Sequence, residues 1–400
     1  MPANQLKSLL ILRERMISEF PKAHPEEGFP GGQQTDDGRG MARFAAMLGD
    51  IGLPVDGIIA AFQALHSEYA WIGSSWRCDK GTENHFIEHG WERPDAHTHS
   101  SPFEIASRSG NWVLLDLESD EELLPAPAEE LRLSGFKQVL TIPMRFSSKL
   151  DTAMAFVSKT QTGFGHRELA MFSVLIPTLS LMFEMLVNQF NSGHLLKTYV
   201  GSGPQQEILS GATRRGQVTR IRSAIMFCDM RDYTSRSSAM SPEKTVAFLN
   251  AYFDCIVPCI EDRDGEVLKY IGDGVLAIFR DNEQSSRTAS VNAMEAAVAC
   301  LEQIEKANNE GRFSIPIAAG IALHHGEAAF GNIGYGSRLD FTVVGSDVNI
   351  TSRLANLNKE LGKPLLASRA FADKVRHELV FVGAHAISGI SEPLDVFSLS

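Results

Sequence analysis

Two aspartates that each follow an apolar, strand-like run constrain the fold of this chain most strongly. The first segment, Ser223–Asp229, is a continuous apolar run closed by its acid. The second segment, Leu268–Phe279, contains two apolar runs separated by Asp273-Gly274, a dipeptide typical of a tight hairpin turn. We therefore expect a central sheet in which two strands deliver their carboxylates to the same edge.

Each aspartate alone is weak evidence, because an acid at the end of a strand is more often a turn residue or a helix cap. Two carboxylates at one edge, however, repel each other unless cations lie between them, and Mg²⁺ prefers carboxylate oxygens. Nucleoside triphosphates carry negative charges that divalent cations, arginines and backbone N–H groups neutralise. The pair Asp229 and Asp273 therefore indicates a two-metal site for phosphoryl transfer.

A helix predicted over residues 347–361 places Asn349 and Arg353 on one face, since they are four positions apart. Arginine presents a permanently charged fork that suits a phosphate under attack. An isolated pair of this kind is more often a solvated helix surface, so a role at the phosphate depends on the neighbouring acids.

The composition excludes several classes of protein. With 400 residues the chain can hold two or three domains, and 44% hydrophobic with 22% charged residues is typical of a globular protein. A formal net charge of -12 with scattered basic residues argues against a nucleic-acid partner. Five cysteines without disulfide or metal-ligand spacing, and the lack of a secretory signal, predict a cytoplasmic protein.

One segment comes close to a membrane span. Residues 169–183 are mostly apolar, but the run contains Pro177 and is stopped by Glu184. It is shorter than the ~20 apolar residues that a bilayer core demands. We predict a buried helix and no membrane span.

Residues 36–165 alternate between helical and strand patterns, which predicts an antiparallel sheet with flanking helices in the α+β class. The order of these elements resembles that of a GAF domain, a sensory and regulatory module, and residues 1–35 precede it as a helical segment. Four tryptophans could line a pocket for a small-molecule ligand or fill the core, which is the commoner place for aromatic residues. They are Trp71, Trp76, Trp91 and Trp112.

Residues 166–216 are predicted to link the two halves of the chain. A broad apolar face follows a helix from His166 to about Tyr199, and Gly201–Pro204 marks a boundary. The apolar face of this helix must be buried against another element. That element is either a parallel copy of the helix in a dimer or the sheet of its own domain. Both alternatives are open.

Eight short motifs follow one another in the C-terminal half. They are Phe227–Thr234, Leu249–Phe253, Leu268–Gly274, Gly320–Gly326, Gly331–Gly334, Asp340–Gly345, Val348–Arg353 and Gly389–Pro393. In this order they resemble the catalytic domain of class III nucleotidyl cyclases, over residues 217–400. The resemblance implies a ferredoxin-like or palm fold and an adenylate cyclase that forms 3′,5′-cyclic AMP and pyrophosphate.

The resemblance also implies site residues. Asp229 and Asp273 match the metal-binding aspartates for two Mg²⁺ or Mn²⁺ ions, and the backbone carbonyl of Met230 matches a further ligand. Asn349 matches the residue that positions the ribose. Arg353 matches the residue that compensates the charge growing on the α-phosphate.

Lys269 and Thr342 match the pair that selects the purine. Lysine can donate to adenine N1 and threonine can accept from the exocyclic amine, whereas guanine presents the opposite pattern, so the pair favours ATP over GTP. A cyclase of GTP or of a pyrimidine nucleotide, and a degenerate nucleotide-binding module, are the alternatives. The family holds the triphosphate with backbone N–H groups of a loop that here contains Arg231, Asp232, Tyr233 and Thr234.

A homodimer follows from the resemblance, because in the family the metal residues and the Lys/Thr/Asn/Arg set around one nucleotide belong to opposite subunits.

The chain also departs from the family. Ser346 or Asp347 is expected to cap a helix and not to contact substrate. Ala318 and Ser388 replace frequent basic residues, which leaves three candidates for holding the triphosphate. They are Arg215, Arg231 and Lys363.

Overall fold

A computed structural model of the chain describes residues 7–12, 14, 39–91, 101–118, 126–147, 152–282, 288–375, 379–387, 390 and 392–399. The chain divides into two compact units, Met1–Leu195 and Leu196–Ser400. Of the predicted helical segment 1–35, residues 7–12 are helical and most others lie outside the described residues. Ser388 and part of the motif Gly389–Pro393 also lie outside them.

The N-terminal unit contains a six-stranded antiparallel sheet in the order β3-β2-β1-β6-β5-β4. Its strands are β1 (Gly57–Gln63), β2 (Tyr69–Arg77), β3 (Gly81–Glu88), β4 (Val113–Asp116), β5 (Gln138–Pro143) and β6 (Thr152–Ser158). Apolar or alternating runs in the sequence predict five of them, at residues 55–62, 69–76, 112–116, 138–144 and 152–157. The edge strand β3 is not predicted, because its mostly exposed residues do not alternate between apolar and polar.

Helices cover both faces of this sheet. They are α1 (Arg39–Asp50), α2 (Pro102–Ser109) and α3 (Ala126–Leu133). Leu48 of α1 and Phe156 of β6 belong to the core on one face, and Leu131 of α3 packs with Val157 of β6 on the other. The mixture of helix and sheet agrees with the predicted α+β class.

The predicted apolar helix is α4 (His166–Val200), which has 35 residues. Its buried side chains, among them Phe172 and Phe183, pack on the N-terminal sheet, while Leu181 and Met185 are exposed. The helix extends well beyond residues 169–183, the apolar run that is too short for a membrane span. By length and composition the whole helix could cross a membrane. A buried core helix passes the same test, and half of its most apolar window is buried.

The C-terminal unit contains an eight-stranded sheet in the order β13-β14-β12-β10-β7-β9-β8, with β11 paired to β10. Its strands are β7 (Val218–Met230), β8 (Glu266–Ile271), β9 (Gly274–Arg280), β10 (Ala319–Tyr335), β11 (Arg338–Val344), β12 (Leu365–Ser368), β13 (Leu379–His385) and β14 (Leu394–Leu399). Strand β12 runs parallel to β10. The apolar residues at 315–323 predict a strand there, but β10 begins later, at Ala319.

The helices of this unit include the long α7 and α8, which pack with strands β7 and β10 in one core. In chain order they are α5 (Ser202–Leu209), α6 (Tyr233–Ser237), α7 (Pro242–Glu261), α8 (Ala289–Asn309), α9 (Ser346–Leu361) and α10 (Arg369–Ala372). Ser241 before Pro242 predicts a helix N-cap, and the Ser241 hydroxyl accepts the Lys244 N–H at the start of α7. Cys255 and Cys259 are buried within α7.

Candidate functional site

Asp229 and Asp273 lie together at one edge of the C-terminal sheet. Asp229 is the penultimate residue of β7, and Asp273 lies in the turn between β8 and β9, the strand that pairs with β7. The Asp229 side chain is 14% exposed, and the two carboxyl groups share a hydrogen bond. Partial burial, followed by the charge of Asp229 and this hydrogen bond, raises the pKa of Asp273 to about 6.

A lysine that sequence reasoning missed contacts this acid pair. Lys359, on the last turn of α9, forms an ion pair with Oδ2 of Asp229. It lies six positions beyond Arg353, so the helical periodicity that groups Asn349 with Arg353 does not point to it. No local signal in the sequence connects residues 229 and 359.

The acid pair fits a site for divalent cations that share their ligands with a substrate. In the part of the chain that the structure describes, no group of three or more His, Cys, Asp or Glu side chains converges. Magnesium usually binds one or two carboxylates and completes its shell with water and phosphate oxygens. Met230 ends β7 with a buried side chain, so only its carbonyl oxygen could add a protein ligand.

Lys269, the first predicted purine-selecting residue, forms an ion pair with Asp340 of β11. Thr342, the second, is buried on the same strand. Asp340 and Thr342 are two positions apart and therefore share a face of β11. Sequence reasoning missed Asp340, although this alternation from Thr342 could have identified it.

Asn349 and Arg353 lie on the first two turns of α9, where Asn349 is exposed and Arg353 is half-buried. Within the described chain Arg353 makes no ion pair, and no hydrogen bond joins either residue to the acid pair. A single chain therefore brings the two acids together and holds Lys269 at Asp340, while among the described residues no hydrogen bond or ion pair links Asn349 or Arg353 to the acids. Their roles stay predictions.

The predicted cap of α9 is wrong. The N-cap residue is Gly345, without a side-chain hydrogen bond, and the Asp347 carboxylate instead accepts the backbone N–H of Glu327 at 2.7 Å. A Cβ at Gly326 would lie 2.0 Å from Oδ2 of Asp347, so glycine is required there to let the carboxylate approach β10. Asp347 thus fixes the start of the helix that carries Asn349.

Arg231, predicted to hold the triphosphate, contacts the end of α9 instead. Its Nη2 donates to the carbonyl and Oδ1 of Asn358, at 3.2 and 2.6 Å, and to the Lys363 carbonyl. Its backbone N–H donates to Ala318. The next residue, Asp232, adopts a left-handed conformation with φ of 58° at the start of α6, which turns the chain sharply after β7. Tyr233 and Thr234 form the first turn of α6.

His324 adds a pH-dependent contact beside this helix. It is buried, its Nδ1 lies 2.7 Å from the Ser368 hydroxyl, and its Nε2 lies 3.7 Å from Asp347. Burial lowers the pKa of His324 below 6.5, although the charge of Asp347 opposes this change. The unfolded chain therefore binds the proton first when the pH falls, and the folded state loses stability below about 6.5.

We expect His324→Gln to lose less unfolding free energy between pH 7.5 and 5 than the unmodified protein. Urea unfolding at several pH values would measure this difference. His325→Gln is the matched comparison, because burial also lowers the pKa of His325, which contacts Asp281. Parallel pH curves for the unmodified protein and His324→Gln would contradict the prediction.

Comparisons with known proteins converge on the C-terminal half. The family model described as "Adenylate and Guanylate cyclase catalytic domain" matches residues 218–362. An adenylate cyclase of Anabaena cylindrica is 36% identical over 161 residues, which cover 39% of this chain and 31% of that protein. Adenylate cyclase 1 of Rhizobium meliloti is 33% identical over 178 residues, which cover 44% of this chain and 27% of that protein.

Among solved structures, the adenylyl cyclase CyaB of P. aeruginosa is 23% identical and covers 46% of this chain and 96% of that chain, with a TM-score of 0.42. The match to each of the two sequence relatives spans less than a third of its length.

Proposed function

The C-terminal half of this chain belongs to the adenylate and guanylate cyclase catalytic domain family, and on that premise we propose that it converts ATP into 3′,5′-cyclic AMP and pyrophosphate. The observation that carries the proposal is the convergence of Asp229 and Asp273 at one sheet edge. Burial and then the charge of Asp229 raise the pKa of Asp273, and divalent cations would relieve the repulsion between the two carboxylates.

Asp229, Asp273 and the Met230 carbonyl would hold two Mg²⁺ or Mn²⁺ ions. When bound, these ions would lower the pKa of the ribose 3′-hydroxyl and neutralise charge on the triphosphate. Asn349 would orient the ribose, and Arg353 would compensate the charge that grows on the α-phosphate. The 3′ oxygen then bonds to the α-phosphorus as the bond to pyrophosphate breaks, and the hydroxyl proton passes to water.

The choice of ATP rests on the donor and acceptor pattern of Lys269 and Thr342. Asp340 holds the ammonium of Lys269 in place through their ion pair. A lysine donor suits adenine N1 and not guanine N1, which carries a hydrogen. GTP as the substrate is the second candidate, because the family includes guanylate cyclases by its description.

Exchanging the purine-selecting pair is expected to change the product. Lys269→Glu with Thr342→Cys should lower kcat/KM for ATP by roughly 100-fold and raise that for GTP, because glutamate accepts from guanine N1. Asp340 would repel the new carboxylate, so Asp340→Asn is included. Asp340→Asn alone is the control and should keep the preference for ATP. Chromatographic separation of cyclic AMP and cyclic GMP measures the result, and unchanged ATP preference of the triple variant would refute the assignment.

The proposal as a whole is tested with purified full-length protein, Mg²⁺ or Mn²⁺, and each of the four nucleoside triphosphates. Cyclic AMP as the main product supports it. Cyclic GMP as the main product overturns the adenine assignment, and no cyclic product with any nucleotide favours a degenerate binding module. The Asp273→Asn protein, purified in parallel, controls for a contaminating cyclase.

A homodimer with shared sites, and regulation of catalysis by a GAF-like N-terminal domain through α4, are further parts of the proposal. The six-stranded antiparallel sheet covered by helices supports a separate regulatory domain, and a small molecule is its proposed ligand. We also propose a cytoplasmic location. Cell fractionation tests this against membrane insertion of α4, since an integral protein requires detergent for its release.

A further inference from the structure

The last turn of α9 brings a positive charge to the acid pair. The ammonium of Lys359 forms an ion pair with Oδ2 of Asp229. One lysine therefore partly neutralises the negative charge of the acid pair.

The backbone that carries Lys359 is held firmly against the sheet. The neighbouring Asn358 is 1% exposed. Its side chain donates to the Ile321 carbonyl at 2.9 Å and accepts from Arg231 at 2.6 Å. A Cβ on Gly320, which pairs with Asp229 across the sheet, would lie 2.8 Å from Oδ1 of Asn358. These contacts fix the position of Lys359 beside the acids.

The side chain of Lys359 is nevertheless able to leave. It is 56% exposed, whereas Asp229 is 14% exposed, and lysine has a flexible stem that ends in a compact charge. An ammonium and a divalent cation cannot use the same carboxylate oxygen at full strength, so each lowers the affinity of the other. Once displaced from Asp229, the Lys359 ammonium would remain near enough to donate to the phosphate oxygens of a substrate that the cations hold at the acids.

From this arrangement we propose that Lys359 is an exchangeable counter-ion of the acid pair. It neutralises Asp229 before a divalent cation binds, competes with that cation for the carboxylate, and then donates to an oxygen of the triphosphate or of the pyrophosphate product. This inference rests on the proposed two-metal function, and it adds a positioning and phosphate-binding residue on the same chain as the metal ligands.

Binding of Mn²⁺ to the nucleotide-free, full-length protein tests the first half, with free Mn²⁺ measured by electron paramagnetic resonance. Lys359→Gln should bind Mn²⁺ roughly 5-fold more tightly than the unmodified protein, because the competing charge is gone. Lys359→Arg, which keeps the charge, should stay within about 2-fold of the unmodified protein. Lys306→Gln on α8 is the matched control for net charge, since Lys306 is 63% exposed and pairs with Glu310 one helical turn away.

Equal Mn²⁺ affinity of Lys359→Gln and the unmodified protein would overturn the inference but leave the metal site intact. The same gain in Lys306→Gln would also overturn it, since net charge alone would then explain the effect. A lack of Mn²⁺ binding by every protein would instead remove the proposed metal site and the inference with it. Circular dichroism checks folding, and if Lys359→Gln is unfolded, Lys359→Met replaces it in the same measurement.

Pyrophosphate binding to the Mn²⁺-loaded proteins tests the second half. Calorimetric titration should show pyrophosphate bound roughly 5-fold more weakly by Lys359→Gln, since one charge-assisted hydrogen bond is lost. Lys306→Gln should bind as the unmodified protein does. Unchanged binding by Lys359→Gln would refute the phosphate contact.

Discussion

Asp273→Asn is expected to lower the rate of cyclic AMP formation by roughly 1,000-fold, which corresponds to about 4 kcal/mol of lost transition-state stabilisation. An amide has nearly the same size as the carboxyl group, but it lacks the charge that holds a divalent cation. Product formation from ATP at saturating Mg²⁺, followed by chromatography, measures the loss. A decrease of less than about tenfold would contradict the assignment of Asp273 as a metal ligand.

The same variant separates catalysis from folding. At pH 7.5, above its pKa of about 6, the Asp273 carboxylate is repelled by the neighbouring charge of Asp229. The neutral amide removes this repulsion, so the metal-free variant should be at least as stable as the unmodified protein in urea unfolding. Asp262→Asn, an exposed acid at the end of α7, is the matched control and should keep both activity and stability.

Mixing two inactive variants is expected to restore activity. Asp273→Asn removes a metal ligand and Arg353→Ala removes the transition-state charge. If one nucleotide is bound between two chains, a mixed dimer keeps one intact site. Random exchange of subunits in an equal mixture should then recover about a quarter of the unmodified activity, because half of the dimers are mixed and each has one intact site of two.

The control for this experiment combines variants that affect the same half of the site. Asp229→Asn mixed with Asp273→Asn should recover nothing, because both residues serve one half-site. Mass spectrometry under native conditions establishes that mixed dimers form. If mixed dimers of Asp273→Asn and Arg353→Ala are present but inactive, the shared site is wrong, and acids and arginine must meet the nucleotide within one chain.

The strands and helices with strong apolar periodicity were predictable from the sequence. The run that ends at Asp229, the Asp273-Gly274 turn and the helix capped by Ser241 all have local signals, and the structure contains each of them. Strands β3, β12, β13 and β14 were not predicted from the sequence. Strands β3 and β13 are substantially exposed and lack regular alternation, and β12 has only four residues. Local patterns report burial, and an edge strand shows little of it.

The site was predictable only where its residues share an element or lie at the ends of paired strands. Asp229 and Asp273 satisfy that condition. Lys359 does not, since its contact with Asp229 joins residues 130 positions apart. Aspartate is a residue type that often caps helices, so the sequence favours a cap at Asp347. The lack of a side chain at Gly326, however, leaves room for the Asp347 carboxylate at the backbone of β10. Tertiary packing decided that contact over the local preference for capping.

The guanidinium of Arg231 ties the chain just after β7 to three oxygen atoms at the tail of α9. The end of β7 and the C-terminal end of α9 are therefore mechanically coupled. A displacement of the C-terminal end of α9 would also displace the end of β7, and with it Asp229.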